Sequence, residues 1–281
     1  MVDTMRTRKS QTNEFAQFEY SPHRTVTHRP AFSILDLLVS IAVMSVLLGL
    51  LAPSLSLVTE AARRVKCQKK MSDLGLALTM YADDHRDVLP PSAVADDVYS
   101  VETASDADII QSSTLMQLAH RGNDDPNNFD GLGRLVASEY LSDPASLYCP
   151  SHRGEHPIEE YASSWVELGD QIVINYHYRL LSDTDMLSRL DPRMTIVTDG
   201  MRSVADYSHK SGNNMLKADM SVEWYTDEKD YIASLLPVSE LDPGAGIPVN
   251  ASWTVLDTGE APETPSPTPN LPTGNHIVGW D

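Results

Sequence analysis

The sequence predicts an α+β protein, with one long N-terminal helix laid against a small antiparallel sheet. Three observations predict it. Residues 37–58 run for 22 residues without a charge. Directly after them, Cys67, Met71, Leu74, Leu78 and Tyr81 recur at spacings of 4, 3, 4 and 3, the period of one helical face. Further on, short β-rich runs alternate with turn residues rather than with long helical patterns.

The helix is expected over residues 32–82. At 1.5 Å per residue the uncharged run 37–58 reaches roughly 33 Å, enough for a bilayer core of about 30 Å. Asp36 stands at its N-terminal edge, where a carboxylate near lipid needs a partner. Pro53 removes a backbone hydrogen bond and is expected to bend the helix, with Gly49 loosening the turn before it. Beyond residue 60 the helix becomes amphipathic. Arg63, Arg64, Lys66, Lys69, Lys70 and Asp73 lie off the apolar stripe, which needs a globular partner to cover it.

That partner is expected over residues 83–235. After Pro90 and Pro91 comes an acidic polar stretch to about residue 130, then a short helix over 131–141. Residues 171–178 and 194–198 read as strands. Residues 214–224 read as a hairpin turning through Ala218, Asp219, Met220 and Ser221. From 236 to 281 the chain is proline-rich with little periodicity. It reads as a tail, disordered over 260–275.

The charge excludes one class of function and divides the chain. Of 281 residues 40 are acidic and 21 basic, a net of −19, which argues against a general nucleic-acid binder. Residues 1–82 hold 10 basic and 6 acidic residues, whereas 83–281 hold 11 and 34. A basic front on an acidic body suits an asymmetric setting such as the two sides of a membrane. Two cysteines exclude a disulfide-dense scaffold and a four-cysteine zinc site. No G-x-S-x-G, P-loop, H-E-x-x-H or dinucleotide fingerprint occurs, so no enzymatic activity is expected.

Certain residues resemble a known family. Ala31-Phe32-Ser33-Ile34-Leu35-Asp36-Leu37-Leu38 is similar to the prepilin cleavage signature. It precedes an apolar helix whose Pro53 is the twenty-second residue counted from Phe32, as in type IV pilins and type II secretion pseudopilins. Residues 60–67 and 74–82, the block Tyr148-Cys149-Pro150-Ser151, and His209 and Asp219 with nine residues between them resemble the pilin-like proteins of planctomycete-type bacteria, which carry a His-x9-Asp-Gly element. The departures are Ala31 for the usual Gly, Asp36 for Glu, and Met220 for the Gly after Asp219. The last implies a turn that does not need a positive φ there.

The resemblance implies a pilin-like fold and a structural role. A prepilin peptidase would cut between Ala31 and Phe32 and methylate the new terminus. The leader, residues 1–31, would stay cytoplasmic, held by Arg6, Arg8, Lys9, Arg24 and Arg29. The helix would sit in the inner membrane with the head periplasmic. Its partners would be membrane lipid, an inner-membrane assembly platform and other pilins in a filament, and no nucleic acid. Asp36 would pair with the positive N-terminus of a neighbouring subunit; the alternative is a carboxylate that meets headgroups and water. A second functional reading is a membrane-anchored extracytoplasmic binding protein that borrows the signal.

Two site expectations follow. In an oxidising compartment Cys67 and Cys149 would form one disulfide, stabilising by about 4–5 kcal/mol in the chain-entropy model, or else remain two buried thiols. Asp199, His209 and Asp219 read either as ligands for Ca²⁺, which prefers several oxygens, or as strand-end and turn residues. No other cofactor is expected.

Overall fold

The computed structural model describes residues 33–92, 117–122, 128–167, 170–179, 181, 183–239 and 246–260; for 51–57, 246–248 and 250 it describes the helix without the side chains. The fold is α+β. It divides into two compact units, Met1–Ala52 and Pro53–Asp281. The division falls beside Pro53, and one helix, α1 (Ile34–Asp84), is assigned through it. The leader with Ala31 and Phe32 and the tail from 261 lie outside the described residues, and at Pro53 the chain stays helical.

In the first unit, Ser33 and Asp36 start the helix. The Leu35 amide donates to Ser33 Oγ at 3.2 Å, and the Ser33 amide donates to Asp36 Oδ2 at 3.2 Å. This reciprocal arrangement is a capping box. The apolar residues that follow are exposed on every side, Leu37 and Leu38 at 52% and 61% and Leu47 and Leu48 at 55% and 66%. Among the described residues no helix is long and apolar enough to cross a membrane. The uncharged run 37–58, to which that role was assigned, includes the 51–57 interval whose side chains are not described.

In the second unit the expected stripe becomes the core. Cys67, Met71, Leu74 and Leu78 are fully buried and Tyr81 nearly so. Lys70 departs from the expected solvated face. Its ammonium donates to the carbonyls of Ala145 and Tyr148 at 2.6 and 2.8 Å, tying α1 to the 3₁₀ turn Pro144–Leu147. The helix ends where Arg86 and Asp87 take positive φ, with the Asp87 amide closing on the Ala82 carbonyl at 2.8 Å.

The head contains β1 (Leu118–Arg121), α2 (Gly133–Ala137), α3 (Ile158–Tyr161), α4 (Ser164–Glu167), β2 (Gln171–Val173), β3 (His177–Tyr178), β4 (Thr195–Thr198), β5 (Gly212–Lys217), β6 (Val222–Thr226), α5 (Tyr231–Leu235) and α6 (Gly246–Thr258). Strands β3-β4-β5-β6 form an antiparallel sheet in that order, and β1-β2 form a second, two-stranded one. The run 171–178, expected as one β-rich segment, is thus split between two sheets. The α1 stripe joins Ile172, Tyr176, Ile196, Val197 and Leu216 in one apolar cluster.

The β5–β6 hairpin turns where expected, but its φ angles correct the reading of Met220. Asp219 Oδ1 accepts from the Ser221 amide at 2.9 Å, and Met220 has φ +65°. The turn does need a left-handed residue, and methionine occupies that place at a cost of about 1–2 kcal/mol. Met220 is retained against that strain by its packing: its Cβ lies beside Gly75 of α1. Met220→Gly is therefore expected to be more stable than Met220→Ala by about 1 kcal/mol, because only the former releases the strain while both lose the packing. Urea midpoints of the two variants check this; equal midpoints would remove the strain.

The fold also extends past residue 235, where the tail was expected. In α6, Val249, Trp253 and Leu256 stand at spacings of 4 and 3 and are buried with Met201, Tyr207, Met215 and Ile232 in a second apolar cluster. Pro248 falls in the first turn, where its missing amide leaves no helical bond unmade. Asp257 anchors the other end. Its Oδ2 accepts from Arg179 at 2.8 Å and its Oδ1 from the Thr195 amide at 2.8 Å, while the Arg179 guanidinium lies 4.8 Å from the Trp253 ring centroid.

Candidate functional site

Four side chains from four parts of the second unit converge beneath α1. Cys67 comes from the apolar face of α1, and Cys149 from the turn that follows the 3₁₀ segment Pro144–Leu147. Asp199 comes directly after β4, and His209 from the loop entering β5. The antiparallel register places the end of β4 beside the start of β5, with Thr198 opposite Met215. All four residues are buried, and their thiol, carboxylate and imidazole atoms lie within 4.8 Å of one another.

The contacts inside the cluster are direct. The Cys67 thiol donates to Asp199 Oδ1 at 2.8 Å and also meets the Tyr176 hydroxyl at 3.1 Å. Cys149 Sγ lies 3.5 Å from His209 Nε2, which is itself 3.4 Å from Asp199 Oδ2. The opposite ring nitrogen, Nδ1, meets Glu60 Oε1 at 2.6 Å, and Ser151 donates to the same oxygen at 2.8 Å. Asn214 donates to Asp199 Oδ2 from its backbone and its side chain, at 2.7 and 2.8 Å. The Trp224 ring stands edge-on to His209, and Arg64 stacks over that ring at 4.2 Å.

Crowding of these groups shifts their proton affinities. Burial pushes the Asp199 carboxyl up to about 7, with the charge of Cys149 adding to it and that of His209 opposing. Cys149 moves down to about 4, chiefly through its hydrogen bond with Cys67 and, against the cost of burial, through His209. Burial favours neutral His209, but its hydrogen bond to Cys149 and the charges of Asp199 and Cys149 prevail and raise it to about 9. Burial, first of all, pushes the Cys67 thiol well up.

The expected site residues therefore sort unevenly. Cys67 and Cys149 are neighbours, and the structure carries both as buried thiols. Asp199 and His209 meet, as a shared ligand set required. Asp219 does not join them. It lies on the exposed turn at the far end of β5 from His209, and a six-residue strand spans about 20 Å. Sequence proximity misled here, because an extended strand separates residues that a short count places together. An oxygen-rich Ca²⁺ set is replaced by two sulfurs, one nitrogen and one carboxylate. Glu60, Tyr176 and Asn214 were not singled out from the sequence. Glu60 alone carried a signal, since it precedes Cys67 by seven residues and so shares its helical face.

A recess of about 260 Å³ has Cys149 on its wall, together with Lys70, His152, Arg153 and Glu159. The arrangement can exchange protons, oxidise to a disulfide or hold a soft cation. No curated protein and no solved structure matches the chain. One family model does: residues 58–185, which include Cys67, Cys149 and Tyr176 and stop short of Asp199 and His209, match the family described as protein of unknown function (DUF1559).

Proposed function

We propose that the protein is a membrane-inserted, pilin-like structural subunit of a type II secretion pseudopilus or type IV pilus-like filament, cut from its leader by a prepilin peptidase. The observation that carries this reading is the contrast along α1. Residues 34–50 expose large apolar side chains in all directions, whereas from Cys67 the stripe Cys67, Met71, Leu74, Leu78 and Tyr81 is buried in the head, with Leu76 and Met80 left exposed. Soluble surfaces do not leave an apolar area of that extent in water, so lipid or other apolar helices must cover it. The signature at residues 31–38 and the 22 uncharged residues 37–58 support the same assignment.

In this role the helix waits in the inner membrane and then packs among the helices of other subunits, with the acidic head extracytoplasmic. Asp36 supplies the charge that meets a neighbour's N-terminus during that transfer. Intact mass of the protein extracted from peptidase-competent cells is expected to show loss of residues 1–31 and gain of one methyl group. A full-length mass would defeat the reading. Copurification with filaments then separates a subunit from a lone membrane-anchored binding protein, which would be processed without assembling.

A further inference from the structure

We infer that Cys67, Cys149, Asp199 and His209 form a tetrahedral site for a transition-metal cation of the Zn²⁺ type, which staples α1 to the sheet. The inference is independent of the filament role. Tetrahedral zinc with bonds of 2.0–2.3 Å sets its ligand atoms about 3.3–3.8 Å apart. Cys149 Sγ to His209 Nε2 is 3.5 Å, and His209 Nε2 to Asp199 Oδ2 is 3.4 Å. All four ligand atoms fall within 4.8 Å of one another.

The donor set selects the ion. Two thiolates and an imidazole suit zinc and its soft neighbours, not Ca²⁺ or Mg²⁺, which require oxygen. Four protein ligands also leave no open position, which is the mark of a structural site rather than a catalytic one. Charge points the same way. Two sulfurs and a carboxylate gathered in a dry pocket repel one another when ionised, and a divalent cation removes that repulsion.

The surrounding shell is the strongest argument. Metal-bound histidine ordinarily directs its second nitrogen to a carboxylate or carbonyl, which fixes the ring and the tautomer. Here Nε2 faces the cluster and Nδ1 meets Glu60 at 2.6 Å. Asn214 fixes the carboxylate of Asp199, and Tyr176 meets the sulfur of Cys67. A cysteine–histidine nucleophile would need Cys149, His209 and Glu60, but would leave Cys67 and Asp199 without a purpose. Of the four ligands Cys149 also lines the recess, the side from which an ion would reach the site.

The test uses the full chain in detergent. Thiols alkylated under denaturing conditions at lysis should number two, and the purified protein should retain one equivalent of zinc through dialysis. Co²⁺ added to the reduced, metal-free chain should give sulfur-to-cobalt charge transfer in the near ultraviolet and the visible bands of a tetrahedral ion. Glu60→Gln should weaken metal affinity about 10–100-fold with the fold intact, and Asp219→Asn should leave it unchanged. His209→Ala should lose the bands, but the wild-type spectrum decides without any variant. A Cys67–Cys149 disulfide at lysis, or no charge-transfer band in the reduced wild type, overturns the site.

Discussion

Asp257→Ala is expected to lower the unfolding free energy by about 3–5 kcal/mol. The carboxylate accepts from two buried donors, the Arg179 guanidinium and the Thr195 amide, each at 2.8 Å. Arg179 is fully buried beside Trp253. Removing the carboxylate takes from the buried guanidinium the acceptor that it meets at 2.8 Å, and that desolvation cost is what the variant exposes. Asp257→Asn should cost less, since the amide oxygen still accepts. Replacing both partners together, Arg179→Met with Asp257→Leu, should cost less than Asp257→Ala, because the guanidinium that the single variant leaves buried is then gone as well. Urea denaturation of the full chain in detergent measures all three. A loss under about 1 kcal/mol in Asp257→Ala would show that α6 does not depend on this anchor.

Asp36→Ala is expected to abolish incorporation into filaments while leaving membrane insertion and processing intact. The helix itself loses little. The capping box of Ser33 and Asp36 contributes about 0.5–2 kcal/mol to helix stability, and α1 is held at its other end by the head. The larger role assigned to Asp36 is to meet a neighbour's charged terminus in an apolar bundle, where an unpaired charge is costly. Ser33→Ala separates the two effects. It removes half of the cap, keeps the charge and should still assemble. Asp36→Glu should also assemble, because it keeps the carboxylate one methylene further out. Normal filament yield from Asp36→Ala would defeat the assembly role and leave the cap as the residue's whole function.

Much of the fold was legible because it is locally encoded. The stripe Cys67, Met71, Leu74, Leu78 and Tyr81 buries the face that its spacing specifies, since 3.6 residues per turn determine which side chains share a side. The β5–β6 hairpin and β4 fall where alternation and turn residues placed them. Where local signals misled, the physical reason is identifiable. Prolines on both sides of α6 concealed the stripe Val249, Trp253, Leu256, although a proline in the first turn does not oppose a helix. The residue type at Met220 argued against a positive φ, yet close packing against Gly75 holds methionine there. Lys70 looked like one more solvated base, and only the nearby 3₁₀ carbonyls bury its charge.

By itself the sequence determined what depends on neighbours along the chain: a long helix, apolar then amphipathic, with Asp36 near its start and a small antiparallel sheet after it. The tertiary structure alone decided which distant residues meet. Cys67, Cys149, Asp199 and His209 come together because α1 crosses the sheet where β4 ends and β5 begins, a consequence of strand register and of which helical face is buried. Asp219, ten positions from His209, is excluded by the same register, because an extended strand moves its two ends apart while an antiparallel pair brings remote ends together.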